Sequence, residues 1–228
     1  MTILPKGGLP KGGLIVSCQA RADNPLHGPV FMAAMAQAAE AGGAVAIRAN
    51  GAQDIAAIRH ETPLPVIGIN KVFDPDEAVY ITPSRAAADA VITAGAGIVA
   101  LDCTDRPRLR GEDWRIVLAH IHDAGCLAFA DVATLAQGVA AAEEGADFVA
   151  STLSGYCGGP VPAEPDYALI SDLAAHVAVP VIAEGRLNTP DRAARALDAG
   201  AHAVVVGTMI TNPREITRAF VARLTALA

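Results

Sequence analysis

The chain has 228 residues, of which 52% are hydrophobic, 18% are charged and only 4% are aromatic. This length suits one (β/α)₈ domain of about 250 residues and is too short for two α/β domains with a cleft between them. The formal net charge of −7 disfavours nucleic acid as a partner. We expect no signal peptide, because the first residues lack an apolar core followed by a cleavage site. No apolar run reaches the ~20 residues of a membrane-spanning helix, so we expect a cytoplasmic protein without a membrane partner.

The chain starts with a tandem copy of Leu-Pro-Lys-Gly-Gly at residues 4–8 and 9–13. Two prolines and four glycines in ten residues predict a flexible lead-in over residues 1–13 rather than a helix. We expect residues 14–228 to form a single catalytic domain, because no linker or second domain is visible in the rest of the sequence.

Eight short apolar runs follow, and nearly every run ends on a polar residue or a glycine. They span residues 14–18, 44–47, 65–69, 97–101, 126–130, 146–150, 179–183 and 202–206. Alanine-rich stretches long enough for a helix separate them, and several of these stretches stop at a glycine. Eight repeats of strand and helix predict a TIM barrel, the (β/α)₈ member of the α/β class.

Two connections are longer than a minimal loop. Segment 73–82 contains Val-Tyr-Ile-Thr at 79–82, which predicts an extra strand over the top of the barrel. The loop at 152–166 is rich in glycine and proline, and we expect a lid or a substrate wall there.

Polar residues at the carboxyl ends of the strands are the candidate active site, because these ends form the active face of a TIM barrel. They are Gln19, Arg48, Asn70-Lys71, Asp102, Asp131, Ser151-Thr152 and Glu184.

Lys71 follows the apolar run at 65–69, where a charged side chain needs a partner. Desolvation or a second nearby cation would lower its pKa and provide a neutral amine. That amine could act as a general base or as a Schiff-base nucleophile. The alternative is a surface lysine just beyond the strand.

Glu184, Asp131 and Asp102 each end a strand, and each could act as an acid or base or merely cap a loop. Three carboxylates could also bind a divalent metal, but no histidine joins them at a strand end, so we expect no metal. Arg48 could clamp an anion or hydrogen-bond a carbonyl, or form a structural ion pair at the same rim.

Two loops after the last strands resemble a phosphate cradle. One contains Gly185 and Arg186, and the other contains Gly207 and Thr208. TIM barrels often bind phosphate after strands seven and eight through glycine amides and the amino end of a helix. The alternative is that these glycines only turn the chain. The loop at 104–108, Thr-Asp-Arg-Pro-Arg, is strongly polar and by itself predicts solvated surface.

These segments together resemble the N-acetylmannosamine-6-phosphate 2-epimerase family of sialic acid catabolism. The matching motifs are Gly-Gly-Leu-Ile-Val-Ser-Cys-Gln at 12–19, Ala-Val-Ala-Ile-Arg at 44–48, Ile-Gly-Ile-Asn-Lys at 67–71, Thr-Asp-Arg-Pro-Arg at 104–108, Thr-Leu-Ser-Gly-Tyr at 152–156, Ile-Ala-Glu-Gly-Arg at 182–186 and Ile-Thr at 210–211. They follow in order over about residues 12–220, nearly the whole chain.

The resemblance implies interconversion of N-acetylmannosamine-6-phosphate and N-acetylglucosamine-6-phosphate by removal and return of the proton at carbon 2. It implies that Lys71 is the catalytic base, with Glu184 as its acidic partner. It further implies that Gln19, Arg48 and Asp131 hold the sugar and its acetamido group. The phosphate would lie at Gly185-Arg186 and Gly207-Thr208, and no cofactor is needed.

Two features depart from the family pattern. Asn212 stands where family members often carry an arginine that resembles a phosphate ligand, and Arg214 follows two residues later. The tandem repeat also replaces a longer helical lead before the first strand.

The residue pattern alone is also compatible with two other functions. One is a Schiff-base aldolase that uses Lys71 on a phosphorylated sugar or keto acid, and the other is a barrel that binds a phosphosugar without turnover. The sequence leaves open whether one base or two serve carbon 2. We also expect a homodimer, because alanine-rich helix faces pack readily.

Overall fold

The structure is a computed structural model that describes residues 8–108 and 110–226. Eight parallel strands close into a barrel in the order in which they occur along the chain. This confirms the predicted TIM barrel. The strands are β1 (Gly13–Cys18), β2 (Ala46–Asn50), β3 (Val66–Ile69), β4 (Ile98–Asp102), β5 (Leu127–Asp131), β6 (Phe148–Ala150), β7 (Val181–Glu184) and β8 (Ala203–Val206).

Helices alternate with the strands and cover the outside of the barrel. They are α1 (Pro29–Ala41), α2 (Ala52–Glu61), α3 (Arg85–Thr93), α4 (Trp114–Asp123), α5 (Leu135–Glu143), α6 (Tyr167–His176), α7 (Pro190–Asp198), the short α8 (Thr208–Thr211) and α9 (Pro213–Thr225). Thr189 caps α7 by accepting from the Arg192 N–H, and proline follows it at the first helical position.

Branched aliphatic side chains and two phenylalanines fill the barrel interior. Ile15, Ile67, Ile98 and Ile182 are completely buried there, and the Phe129 and Phe148 rings lie 5.9 Å apart. A second apolar layer lies between the strands and the helices. The polar strand ends therefore sit on top of a dry, packed core.

The described part of the lead-in lies against the bottom of the barrel. Leu9 is only 1% exposed and belongs to the interior core, while the Gly12 N–H donates to the His202 carbonyl over 2.7 Å. The Leu9 carbonyl also lies 2.6 Å from Nε2 of His202. Residues 1–7 of the expected lead-in lie outside the described residues.

Residues 79–82, here called the strap, cross the top of the barrel after β3. The expected extra strand is absent from this described segment. A single antiparallel bridge joins Ile81 to Lys71 instead. The strap also reaches β4, because the Asp102 N–H donates to the Ile81 carbonyl over 3.1 Å.

Among the helices of the described ranges, none has the length and hydropathy to cross a membrane.

Candidate active site

Four polar side chains at the carboxyl end of the barrel form one buried cluster. The Arg48 guanidinium makes two contacts with the Asp131 carboxylate, at 3.0 and 2.5 Å, and one with Glu184 Oε2 at 2.5 Å. The Thr152 hydroxyl lies 2.6 Å from Asp131 Oδ1 and 3.1 Å from Glu184 Oε2. Arg48 lies inside β2, Asp131 and Glu184 end β5 and β7, and Thr152 lies in the 3₁₀ turn after β6. The cluster therefore links β2 to β5, β6 and β7 across the barrel.

The charges in this cluster are almost fully removed from water. Arg48 is 1% exposed and Asp131 is 0% exposed, while the Glu184 side chain is 18% exposed. Burial by itself would lower the pKa of Arg48, but Asp131 and Glu184 raise it, so the guanidinium stays charged. Burial raises the pKa of Glu184, and the positive charge of Arg48 opposes that rise. Glu184 is thus a carboxyl group that can hold a proton more readily than an exposed one.

Lys71 directly follows β3, and its backbone is fixed on two sides. Its N–H donates to the Asn50 side-chain oxygen over 2.9 Å, and the bridge to Ile81 holds it beneath the strap. Within the described residues, Nζ has no hydrogen-bond or ion-pair partner. Burial, followed by the nearby Arg48 charge, lowers the pKa of Lys71 from 10.5 to about 8, although Glu184 and Asp131 oppose the shift. Neutral amine is therefore accessible near physiological pH.

Lys71 and Glu184 face one cavity of about 1220 Å³ at the carboxyl end of the barrel. Lys71 follows β3 and Glu184 ends β7, so half the circumference of an eight-stranded barrel separates them. A ligand lying across the cavity can thus be reached from both sides. Within residues 8–108 and 110–226, no three His, Cys, Asp or Glu side chains lie together as a metal site.

Eight of the nine predicted site residues line this cavity. They are Gln19, Arg48, Lys71, Glu184, Gly185, Arg186, Gly207 and Thr208. Gln19 donates to the Ser17 hydroxyl over 2.8 Å. A Cβ added to Gly207 would stand 3.1 Å from the Ser17 Cβ, so glycine also allows β8 to continue closely past β1.

Arg186 connects the loop after β7 to the loop at 152–166. Its Nη1 donates to the Ser154 carbonyl over 2.5 Å, and its guanidinium lies 5.4 Å above the Tyr156 ring centre. Arg186 adopts a positive φ of 61°, and the preceding Gly185 has a φ of 108°. This geometry aims the guanidinium across the rim and brings positive charge to the cavity wall.

Asp131 is the ninth predicted residue, and it does not line the cavity. Both of its oxygens contact Arg48, and it lies completely buried behind the guanidinium. Asp131 thus contacts Arg48 and Thr152, two residues that do line the cavity. The sequence could not distinguish this arrangement from direct contact, since both place a carboxylate at the end of β5.

The prediction of a solvated loop at 104–108 was wrong. Arg106 forms an ion pair with the Asp102 carboxylate, and Arg108 Nη2 donates to the Asp102 carbonyl over 2.5 Å. The side chains of these two arginines are only 17% and 10% exposed. The charges were visible in the sequence, but their fold-back onto the fully buried end of β4 was not.

Two residues at the site had no predicted role. The rule that selected Glu184 also placed Thr152 among the polar residues at strand ends, but nothing in the sequence gave it a function. Tyr80 belongs to the strap and lines the cavity, where its ring stacks on Phe73 with centres 5.2 Å apart. Burial raises the pKa of its phenol. No spacing in the sequence placed Tyr80 at the rim, because it lies in the middle of a connection.

The comparisons with known proteins agree with one another over most of the chain. The family model described as "Putative N-acetylmannosamine-6-phosphate epimerase" matches residues 32–226. A protein of Caldanaerobacter subterraneus subsp. tengcongensis, named "Putative N-acetylmannosamine-6-phosphate 2-epimerase", is 51% identical over 92% of this chain and 90% of its own length. A protein of Clostridium perfringens with the same name is 46% identical over 92% of this chain and 96% of its own length.

Solved structures show the same relationship. The N-acetylmannosamine-6-phosphate 2-epimerase from Clostridium perfringens superimposes with a TM-score of 0.90 at 44% identity and covers 94% of both chains. Thiamine phosphate pyrophosphorylase from Pyrococcus furiosus, at 18% identity and a TM-score of 0.59, shares the fold alone. The resemblance found in the sequence motifs is confirmed: this chain belongs to the N-acetylmannosamine-6-phosphate 2-epimerase family, and it is an epimerase.

Proposed function

We propose that this protein interconverts N-acetylmannosamine-6-phosphate and N-acetylglucosamine-6-phosphate by moving the proton at carbon 2, with Lys71 and Glu184 acting from opposite faces. The observation that carries the proposal is the placement of these two side chains at β3 and β7, facing one cavity. Inversion at carbon needs proton removal from one face and proton return to the other. Two groups across a cavity can do this without rotating the intermediate.

Lys71 is suited to remove the proton. In the open-chain aldehyde, carbon 2 lies next to a carbonyl group, so its deprotonation gives a resonance-stabilised anion. The amine must be neutral to accept a proton, and a pKa of about 8 keeps roughly a tenth of it neutral at pH 7. A lysine with the ordinary value of 10.5 would be neutral in only about 0.03% of molecules at that pH.

Glu184 is suited to exchange a proton on the other face. Its Oε2 contacts Arg48 and Thr152, and within the described residues no contact engages Oε1. The raised pKa of this carboxyl favours a form that can donate a proton. For the reverse reaction, the same group accepts the proton and Lys71 returns one.

Arg48 is suited to stabilise the negative charge that develops on the substrate oxygen. Its Nε is buried and has no hydrogen-bond partner among the described residues, and the guanidinium lies 5.2 Å above the Phe129 ring centre. A donor held in a site of low dielectric stabilises a developing oxyanion more strongly than water does. Asp131 and Thr152 fix its position, so we assign Asp131 a positioning role rather than direct contact with the sugar.

The substrate phosphate is proposed to lie between the turns after β7 and β8. Gly185 and Arg186 come from the first turn, and Gly207 and Thr208 from the second, at the wall of the same cavity. The first amides of α8 have no partner within that helix and so can donate to an anion. Gln19 remains available to hydrogen-bond the sugar from the β1 side.

Proton NMR in deuterated water tests this proposal. Wild-type protein incubated with either epimer should produce the other epimer with deuterium at carbon 2. Two bases predict a further result for Lys71→Ala and Glu184→Gln. Each variant should lose epimerisation, yet each should still exchange the carbon 2 proton of one epimer, and the two variants should exchange different epimers.

The variants also separate this reaction from its alternatives. Exchange of both epimers by one variant would replace the two-base scheme with a single base. Epimerisation at the wild-type rate by Lys71→Ala would remove the lysine from the mechanism. Borohydride added during turnover should leave Lys71 unmodified, because epimerisation needs no imine, whereas a Schiff-base aldolase would be trapped and inactivated.

The protein is further proposed to be a cytoplasmic homodimer with a single catalytic domain. Helix α9 supports the dimer, since none of its residues is buried and Phe220, Val221 and Leu224 are 67%, 53% and 65% exposed. Apolar exposure of this kind often marks a protein interface. Light scattering after size exclusion should give twice the chain mass for wild type and less for Phe220→Glu, whereas a wild-type monomer would contradict the proposal.

A further inference from the structure

Thr82, the last residue of the strap, has a backbone conformation that its side chain disfavours. Its φ is +45°, in the left-handed region, and it is 2% exposed. A β-branched residue rarely occupies this region, and it does so only where its surroundings hold it there. Contacts with the surrounding residues must therefore hold Thr82 in this conformation.

The structure shows those contacts: they join Thr82 to Asn70, directly after β3, and to Ala100, in the middle of β4. The Thr82 hydroxyl donates to the Ala100 carbonyl over 2.6 Å and accepts from the Asn70 N–H over 3.1 Å. The Thr82 N–H donates to the Asn70 carbonyl over 2.9 Å. One residue thus satisfies both backbone groups of Asn70, which immediately precedes Lys71.

Other residues of the strap are bonded to Lys71 itself and to the residue that follows it. The Val72 N–H donates to the Tyr80 carbonyl over 2.9 Å, and Ile81 bridges to Lys71. Arg106, which pairs with Asp102, donates to the Ala78 carbonyl over 2.8 Å just before the strap. The strap is therefore held at both ends, and Thr82 is its anchor on the side of β3.

We infer that Thr82 is a positioning residue for Lys71: its hydroxyl and strained backbone hold the strap closed over the lysine and fix the direction in which the amine enters the cavity. This inference rests on the proposed role of Lys71. Thr82 does not line the cavity, so it acts through the backbone of Asn70 and Lys71 and through Ile81.

Loss of the anchor has a defined consequence for the lysine. The charged groups that influence Lys71 are Arg48 from β2, Asp131 from β5, Glu184 from β7 and Arg21 from the loop after β1, and burial is the largest influence. A strap that opens admits water to the amine without moving those strands. The lysine then binds its proton more tightly and points less precisely at carbon 2.

Three substitutions separate the hydroxyl from the other properties of Thr82. Thr82→Val removes only the hydroxyl and keeps the shape, while Thr82→Ser keeps the hydroxyl and removes the methyl group. Thr82→Gly lacks the hydroxyl but accepts a positive φ without strain, so it provides a folded test protein if the valine variant does not fold. Thr62→Val is the matched control, because Thr62 is 3% exposed and accepts from the Leu64 N–H over 3.2 Å at the other end of β3.

Steady-state kinetics over a pH series is the first readout. Thr82→Val and Thr82→Gly should lower kcat by about 10- to 100-fold, the loss expected for a reacting group displaced by about 1 Å, with a small change in KM. The acid limb of their kcat/KM profile should move to higher pH. Thr82→Ser and Thr62→Val should keep the wild-type kcat and the wild-type limb. A purely structural role for Thr82 would lower rates equally at every pH and leave the limb in place.

Lysine NMR is the second readout, and it does not depend on activity. The chain contains only three lysines, Lys6, Lys11 and Lys71, so ¹³C-lysine labelling resolves them and Lys71→Arg identifies the Lys71 signal. Its titration should move upward in Thr82→Val and Thr82→Gly. An unchanged titration and unchanged kcat in both folded variants, beside an inactive Lys71→Ala, would overturn this inference alone. A fully active Lys71→Ala would instead overturn the proposed role of the lysine.

Discussion

Replacing Lys71 with methionine should abolish epimerisation and at the same time increase the free energy of unfolding. The pKa of Lys71 falls from 10.5 to about 8 in the folded chain. Since each pKa unit represents about 1.4 kcal/mol, burying the charged amine costs the fold up to about 3 kcal/mol near pH 7. The open cavity hydrates part of the side chain, so we expect a gain of about 1–3 kcal/mol from an apolar side chain of similar length.

The pH dependence of this gain has a definite sign. Below pH 8, Lys71 is protonated in both the folded and the unfolded chain, and its whole cost is present. Between pH 8 and 10.5, the folded chain has released a proton that the unfolded chain still binds, so wild-type stability rises. The advantage of Lys71→Met should therefore be greatest at pH 7 and vanish towards pH 10.5.

Urea unfolding at pH 7 and pH 10 measures this difference, with the exposed Lys11→Met as the control. In a heating experiment each kcal/mol should raise Tm by about 2–4 °C for a chain of this size. The control should be unchanged at both pH values. The argument is that burying the charged amine of Lys71 lowers the free energy of unfolding. A Lys71→Met protein that is less stable than wild type, or whose gain is equal at both pH values, would refute it.

Three further predictions concern the same rim. Because neutral Lys71 is the reactive form, kcat/KM should rise with pH through about 8 in initial-rate measurements from pH 6 to 9.5; a flat profile would contradict this. Asp131→Asn should remove one charge from a buried pair with Arg48 and lower the free energy of unfolding by about 3 kcal/mol in urea, with loss of turnover; a change under 1 kcal/mol would refute the pairing argument. Gly207→Ala brings a Cβ to 3.1 Å from Ser17, so it should shift the turn after β8 and raise KM more than it lowers kcat, whereas an equal loss in both would place its effect elsewhere.

The fold and the rim could be predicted because one physical rule governs both. Short apolar runs separated by helices identify parallel strands, and the carboxyl ends of parallel strands in a barrel meet on one face. Lys71 and Glu184 follow directly from this rule. Arg48 shows its limit: the sequence places it just beyond a strand, whereas β2 continues past it to Asn50. The charge of Arg48 marked the end of the apolar run at 44–47. Arg48 can nevertheless lie inside the strand, because it pairs with the Asp131 carboxylate, 83 positions away in the sequence.

The features of the site that could not be predicted from the sequence are pairings between side chains that are distant along the chain. Asp131 was expected to help hold the sugar, and the sequence did not show that both of its oxygens contact Arg48. Arg106 and Arg108 were expected in water, yet they fold onto Asp102. In each case the residue type and the strand end were visible, but which oxygen meets which guanidinium depends on contacts across the barrel. The strained φ of Thr82 is likewise invisible in the letters Ile-Thr-Pro.

The rim contains two cations, Arg48 and Lys71, and two carboxyl groups, Asp131 and Glu184, and these four groups have different electrostatic properties. Arg48 and Asp131 form a fully buried ion pair, in which the raised pKa of Arg48 keeps the guanidinium charged. Burial is the main cause of both other pKa shifts: it lowers the pKa of Lys71, with help from Arg48 and against Asp131, and it raises the pKa of Glu184, with help from Asp131 and against Arg48. The base and the acid are thereby moved towards neutrality from opposite directions. Lys71, with a pKa of about 8, is then partly neutral near pH 7, and Glu184 holds a proton more readily than an exposed carboxyl group does; proton transfer at carbon 2 uses both properties.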